Sequence, residues 1–401
     1  MDMVALIEKY QYHEPPRIPP PTPQEGWDGY PGPAYPPAEG EPLRVLHYAP
    51  AASKEETDRL AEGMPPGAVE WLYLVEEQDE RPNEHGEVRL LTPTPLIQRW
   101  QFLRAVLDFR PHLLHIGDSR GAEFAEWVGV PKVEVVGDQT AEECLARYRA
   151  AVLPITDIVV LAHNELEVTS SCVHHLLAHT WVPYRLVLVD NGSMEPVGDL
   201  FRQVALMVAP QPCLVLEPGE NLGCPGGRQL AYEHLAAPYF AWVDNDMLVP
   251  PGWLGPLVRQ MHTNPAIGAI GAWSNVYSDR WRWTAAQPQD MAASNNLYRT
   301  QAVRDAEEEP GRLHCEPFER LQGRSDTDLL WRIKEAGYEL WLDGQVEMMH
   351  LGGPLRDGLG QGLTRRSGEV EAMHQADVAF RRKWLGPGVR IDQECQPTPS
   401  T

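Results

Sequence analysis

Two aspartates one residue apart, Asp244 and Asp246, close an apolar, β-prone run, Tyr239-Phe240-Ala241-Trp242-Val243. A buried strand that ends this way delivers carboxylates to the edge of a sheet. Oxygen ligands there suit Mg2+ or Mn2+, and such an ion joins the protein to a phosphate-bearing substrate. An acidic pair in a turn is by itself common in an acidic chain, so the weight falls on its surroundings.

Other polar clusters follow apolar runs in the same half of the chain. One run ends in Ala162-His163-Asn164-Glu165 and the next in Val189-Asp190-Asn191-Gly192-Ser193. Asp190 is suited to accept a hydrogen bond from a nucleobase N–H; the structural alternative is an Asx turn closing the strand, and both can hold. Glu220 to Arg228 reads as a glycine-rich loop opening onto a helix. Glycines there let backbone N–H groups approach a diphosphate, helped by the helix dipole, and Arg228 can pair with phosphate. The structural alternative is a glycine-rich helix entry with Arg228 at the surface.

The elements that must carry these residues alternate. Strands are expected at Leu43–Tyr48, Val69–Val75, Pro111–Gly117 and Lys132–Val136. Helices are expected at Leu96–Phe109 and Ala122–Val128, and a linking helix at Ala141–Val152. From Ile155 the alternation resumes: strands at Ile155–Ala162, Tyr184–Val189, Leu214–Leu216 and before Asp244, helices at Val168–Ala178 and Pro225–Leu235. Near-continuous apolar strands between helices argue for a mostly parallel sheet covered on both faces. Ligands of such sheets lie at the carboxyl ends of the strands. The expected organisation is a Pro-rich extended arm over residues 1–42, with 11 prolines, a small α/β unit over 43–150, a larger one over 151–353, and a C-terminal helix (Glu369–Trp384) and tail over 354–401.

Composition narrows the function. A net charge of −23 disfavours broad nucleic-acid binding, which needs Lys and Arg to neutralise phosphates. Six scattered cysteines without a C-x-x-C pair point to reduced thiols rather than a disulfide scaffold. Neither a signal peptide nor a membrane-length apolar run is visible, so a soluble, cytoplasmic protein is expected.

The ordered ensemble of His163-Asn164-Glu165, Asp190, Asn221-Leu222-Gly223 with Gly226-Gly227-Arg228, Asp244-Asn245-Asp246, Asp326-Thr327-Asp328 and Met349-His350 resembles the family 2 glycosyltransferases, over about residues 155–353. The resemblance implies a GT-A fold, a mixed, mostly parallel Rossmann-like sheet flanked by helices, here preceded by a smaller α/β unit. It implies a nucleotide-sugar donor (UDP-, GDP- or dTDP-sugar) bound by His163, Asn164, Glu165, Asp190, Asn221, Gly223, Gly227, Arg228, Asp244 and Asn245. It implies Mn2+ or Mg2+ held by Asp244, Asp246 and His350. Asp326 matches the family's catalytic acid position, as the base that deprotonates an acceptor hydroxyl in an inverting displacement. The family's usual Glu-Asp-x-Asp is Ser325-Asp326-Thr327-Asp328 here; Asp328 is the fallback base and is expected to be structural. The structural alternative for Asp326 is an acid favoured by a helix N-terminus. Aromatics from Trp273 to Trp283 suit either sugar stacking or a core. Asn295 and Asn296 replace the family's small residues and are suited to sugar hydroxyls.

These residues lead to a metal-dependent, non-processive glycosyltransferase acting on an unidentified acceptor. The alternatives are a nucleotidyltransferase, which would need a basic glycine-rich loop near Ala162, and an inactive nucleotide-sugar-binding module.

Overall fold

The computed structural model describes residues 36–38, 40–48, 54–76, 86–91, 95–117, 121–123, 130–134, 139–209, 211–274, 296–316, 318, 324–351, 375–376, 378–380 and 382–384. Two sheets are built in sequence. The first holds β1 (Leu43–Tyr48), β2 (Val69–Glu76), β3 (Gly86–Leu91), β4 (Leu113–Ile116) and β5 (Lys132–Glu134), in the order β3-β2-β1-β4-β5 and parallel throughout. One face packs on α2 (Pro95–Phe109) through Phe102, Leu103 and Val106. The other packs on α1 (Lys54–Gly63) and α3 (Ala141–Ala151). α3 starts on a capping box between Thr140 and Glu143, and buries Cys144, Leu145 and Tyr148. The expected linking helix is therefore also part of this core. β3 and α1 went unforeseen: β3 has a half-exposed edge pattern with weak alternation, and α1 is largely polar.

The second sheet has eight strands in the order β10-β13-β11-β12-β9-β6-β7-β8. They are β6 (Thr156–Ala162), β7 (Tyr184–Asp190), β8 (Cys213–Leu216), β9 (Tyr239–Asp244), β10 (Met247–Leu248), β11 (Ile267–Ser274), β12 (Asn296–Arg299) and β13 (Glu339–His350). β8, β7, β6 and β9 are mutually parallel, while β12 runs antiparallel between β9 and β11. Strand residues alternate between two apolar layers. Ile158, Val160 and Ala162 face α4 (Leu166–His179), α5 (Val197–Val208) and α7 (Leu254–Thr263). Val159, Val187 and Trp242 face α6 (Gly223–Tyr232), α8 (Thr300–Asp305) and α9 (Ser325–Glu335). This mixed, mostly parallel α/β arrangement, preceded by a smaller α/β unit, is the architecture expected above.

The expected helix Ala122–Val128 and strand Lys132–Val136 run partly outside the described residues. The aromatic stretch beyond Ser274, Asn295 and Gly352-Gly353 lie outside them. Residues 378–380 and 382–384, within the expected C-terminal helix, are helical.

Candidate active site

Register brings the chemistry together. Ala162 is level with Asp190, and Leu161 with Asp244, so β6, β7 and β9 end at one edge. After Asp244 the chain turns through Asn245 and re-enters as β10. Antiparallel pairing there sets Met247 opposite His350, and the Leu351 N–H donates to the Asp246 carbonyl at 2.8 Å. A short hairpin-like contact thus carries a histidine from the last strand to the acidic pair. His350 Nε2 lies 3.3 Å from Asp246 Oδ1. Asp244, Asp246 and His350 offer three ligand atoms within 4.8 Å of one another.

Arg228, on α6, joins this group to α9. Its Nη1 donates to Asp326 Oδ1 and its Nη2 to Asp244 Oδ1 at 3.3 Å. The guanidinium is buried, 5.7 Å over the Trp242 ring. It is not the surface residue of the structural alternative. Burial opposes its charge, but Asp326 and Asp244 overcome that and raise its pKa. Desolvation lifts Asp244 to about 6; Arg228 opposes the rise while Asp246 and Asp326 add to it. Asp326 occupies the first turn of α9, so the helix-terminus reading holds alongside its place in the cluster.

Asp328, two residues on, has a different role. It is fully buried and accepts from Arg332 Nε at 2.8 Å and Trp384 Nε1 at 3.0 Å, with Lys383 Nζ at 2.9 Å and Cys315 Sγ at 3.3 Å. Arg332 also donates to the carbonyls of Ala306 and Leu313. This hub fixes the helix that bears Asp326 and leaves Asp328 no free face for substrate, as a structural residue requires.

The loops at β6 and β7 are braced chiefly by their own side chains. Asp190 Oδ1 accepts from the Ser193 N–H at 2.9 Å, the Asx turn. The Asn164 N–H donates to Ser193 Oγ (2.7 Å), and the Asn164 Oδ1 accepts from the Met194 N–H (2.8 Å). Asn164 and Glu165 both hold left-handed backbone. His163 Nδ1 meets the Asn191 carbonyl at 3.0 Å. Asn191, which the sequence singled out only as a turn residue, is the central clamp. Its Nδ2 donates to Asn221 Oδ1 (3.2 Å) and the Gly223 carbonyl (3.1 Å), and its Oδ1 accepts from the Leu222 N–H (3.0 Å).

The N–H groups of Leu222 and Gly223, expected to face a diphosphate, are engaged inside this loop, the latter by Asn221 Oδ1 at 2.8 Å. Gly227 is a packing glycine: a Cβ there would meet Leu161 Cδ1 at 2.5 Å, so α6 sits directly on the sheet. Asn245 turns inward, donating to Thr169 Oγ1 at 2.9 Å. Arg228 and the metal-type triad thus form one charged cluster beside hydrogen-bonded asparagines and a close-packed glycine.

Residues 157–328 match the family model Glycosyl transferase family 2, which bears out the resemblance over that span. His350 lies beyond the match and rests on geometry. An uncharacterised glycosyltransferase of Haemophilus influenzae is 17% identical over 127 residues, 32% of this chain and 39% of that protein. The glycosyltransferase GlyG of Streptococcus pneumoniae serotype 4 is 25% identical over 121 residues, 30% of this chain and 40% of that protein. The chain thus spans about two fifths of the length of the curated relatives it matches. Among solved structures, the mannosyltransferase PcManGT of Pyrobaculum calidifontis with GDP-Man and Mn2+ gives a TM-score of 0.43 at 13% identity, over 60% of this chain and 78% of that one. S. aureus TarS 1–349 with UDP-GlcNAc gives 0.44 at 14%, over 56% and 66%.

Proposed function

We propose that this chain is a metal-dependent glycosyltransferase that moves one sugar from a nucleoside diphosphate to an acceptor hydroxyl, with inversion. The observation that carries the reading is the Arg228 bridge, which ties Asp326 to Asp244 and so to the Asp246–His350 cluster. An inverting displacement needs a base on one side of the anomeric carbon and leaving-group stabilisation on the other, and the bridge holds a candidate for each within one cluster.

Two carboxylates and an imidazole fit a divalent ion, and the imidazole tilts the set from magnesium toward manganese. When bound, the ion supplies Lewis-acid stabilisation of the departing nucleoside diphosphate. Asp190 accepts from the base, and Arg228 adds a fixed positive charge beside the phosphates. Asp326 takes the proton of the acceptor hydroxyl as its oxygen bonds to the anomeric carbon and the bond to the phosphate oxygen breaks. The five free cysteines among the described residues fit a reducing, cytoplasmic setting; none of the described helices is long and apolar enough to cross a membrane.

The test is a panel of UDP-, GDP- and dTDP-sugars with Mn2+, reading released nucleoside diphosphate, beside calorimetry of UDP and GDP with and without Mn2+. The reading expects metal-dependent binding and turnover of at least one donor. Tight metal-dependent binding with no turnover across donors and acceptors would instead favour an inactive binding module.

A further inference from the structure

Resting on that reading, we infer that Asn296 and Tyr298 of β12 form a hydrogen-bonding seat for one hydroxyl of the transferred sugar. Asn296 is 1% exposed, and its Oδ1 is buried without a hydrogen-bond partner. Its Nδ2 donates to the Tyr298 hydroxyl at 3.1 Å. A buried carboxamide oxygen left without a donor costs about 1–3 kcal/mol, so such an atom calls for a partner that the protein alone does not provide. Turning the amide over only moves the deficit to its N–H group.

Position points the pair at the reacting centre. β12 lies beside β9 with Leu297 level with Ala241 and Tyr298 with Phe240. One step nearer the strand ends, Asn296 comes alongside Trp242, the ring under Arg228. The Tyr298 hydroxyl lies within electrostatic reach of Asp326, Arg228 and Asp244. An open acceptor on Asn296 beside a tyrosine hydroxyl proton suits a ligand group that both donates and accepts. A sugar hydroxyl does so, and it fits either orientation of the amide. Sites built around such a bond discriminate strongly against ligands that lack the group.

The experiment compares Mn2+-dependent affinities for UDP with UDP-glucose and UDP-N-acetylglucosamine, and for GDP with GDP-mannose. Wild type, Asn296→Leu and the milder Tyr298→Phe are compared, each checked for folding by thermal unfolding. The expected result is that bare nucleoside diphosphate binds within about twofold of wild type. The ratio of nucleotide-sugar to nucleoside-diphosphate affinity then falls about tenfold for the preferred donor, the loss of one such bond. An unchanged ratio in both variants overturns the seat while leaving the functional reading intact. Equal loss of bare diphosphate affinity also overturns it, as a merely structural role. If wild type binds none of UDP, GDP and dTDP in the presence of Mn2+, the functional reading itself falls and the seat with it.

Discussion

The two sheets bury polar groups in opposite places. In the five-stranded sheet they lie inside the layer: His47 and His115 meet through their Nδ1 atoms at 3.1 Å, and the Tyr148 hydroxyl reaches His115 Nδ1 at 2.7 Å, all among Trp71 and Tyr73. In the eight-stranded sheet the centres of β7 and β9 are apolar, and one charged cluster collects where β9 ends and β13 returns, apart from the Asp157–Arg185 pair at the opposite end of β6 and β7. The histidines inside the first sheet meet one another and a tyrosine and resist ionisation, whereas Asp244 and His350 at the strand ends stay partly exposed. The same parallel α/β construction therefore gives a histidine-bearing core in one region and a charged rim in the other.

The sharpest way to break this contrast is to remove the rim's metal-type ligand. Asp246→Ala is expected to abolish Mn2+-dependent binding of UDP or GDP by calorimetry and to lower turnover by roughly 10⁴-fold, since the Lewis acid goes with it. Wild-type metal response in that variant would place the ion elsewhere. Asp326→Asn comes next. Transfer should fall by about 10³-fold while nucleoside diphosphate affinity stays near wild type, because a base acts on the acceptor's proton and not on the phosphates. Retained transfer would return Asp326 to the role of a helix-terminus acid.

The rim was legible in the sequence through the order of several motifs, since an acidic pair after an apolar run is by itself common in an acidic chain. Asp244 and Asp246 were marked from the strand ending and motif order and Asp326 by resemblance; Arg228 joins Asp326 to Asp244, and Asp246 lies beside Asp244 and His350. His350 was marked by resemblance; the β10–β13 pairing that delivers it is a contact across more than a hundred residues, which local pattern does not encode. Asn164, Asn245 and Gly227 look the same in sequence whether they hold a ligand or the chain. Only their filled hydrogen bonds and the close Leu161 approach separate those cases. The His47–His115 pair was illegible for a related reason: a histidine within an apolar strand gives no sign of the partner facing it from the next strand.

A third, smaller effect tests whether the rim depends on the hub behind it. Asp328→Asn removes the carboxylate shared by Arg332 and Lys383 and leaves a buried guanidinium unbalanced, so unfolding free energy should drop by about 3 kcal/mol in denaturant titration. With Asp326 two residues away, kcat should fall more than KM changes. A variant as stable as wild type would show that the C-terminal segment contributes nothing to holding α9.

The interior of the first sheet offers the smallest and most specific test. Burial lowers His47 to about 4, and burial, with His47 and Arg147 nearby, lowers His115 to about 2. Both pKa values are depressed below the unfolded value of about 6.5, so the unfolded chain takes up protons that the native core refuses. The stability these neutral rings permit is complete above pH about 6.5 and declines as acid is added. For His47 the loss levels off below about pH 4, at about 3 kcal/mol. His314, lowered to about 3 by burial and by Arg228 and Arg332, adds a pull of the same sign and at least the same size from the second sheet's side. Urea midpoints measured from pH 7 to 4 should therefore fall in wild type. In His47→Leu they should fall less steeply between 6.5 and 4, whatever the variant's stability at pH 7, because one refused proton is gone. Identical slopes would mean that the first sheet opens to water in acid before its histidines are forced to charge.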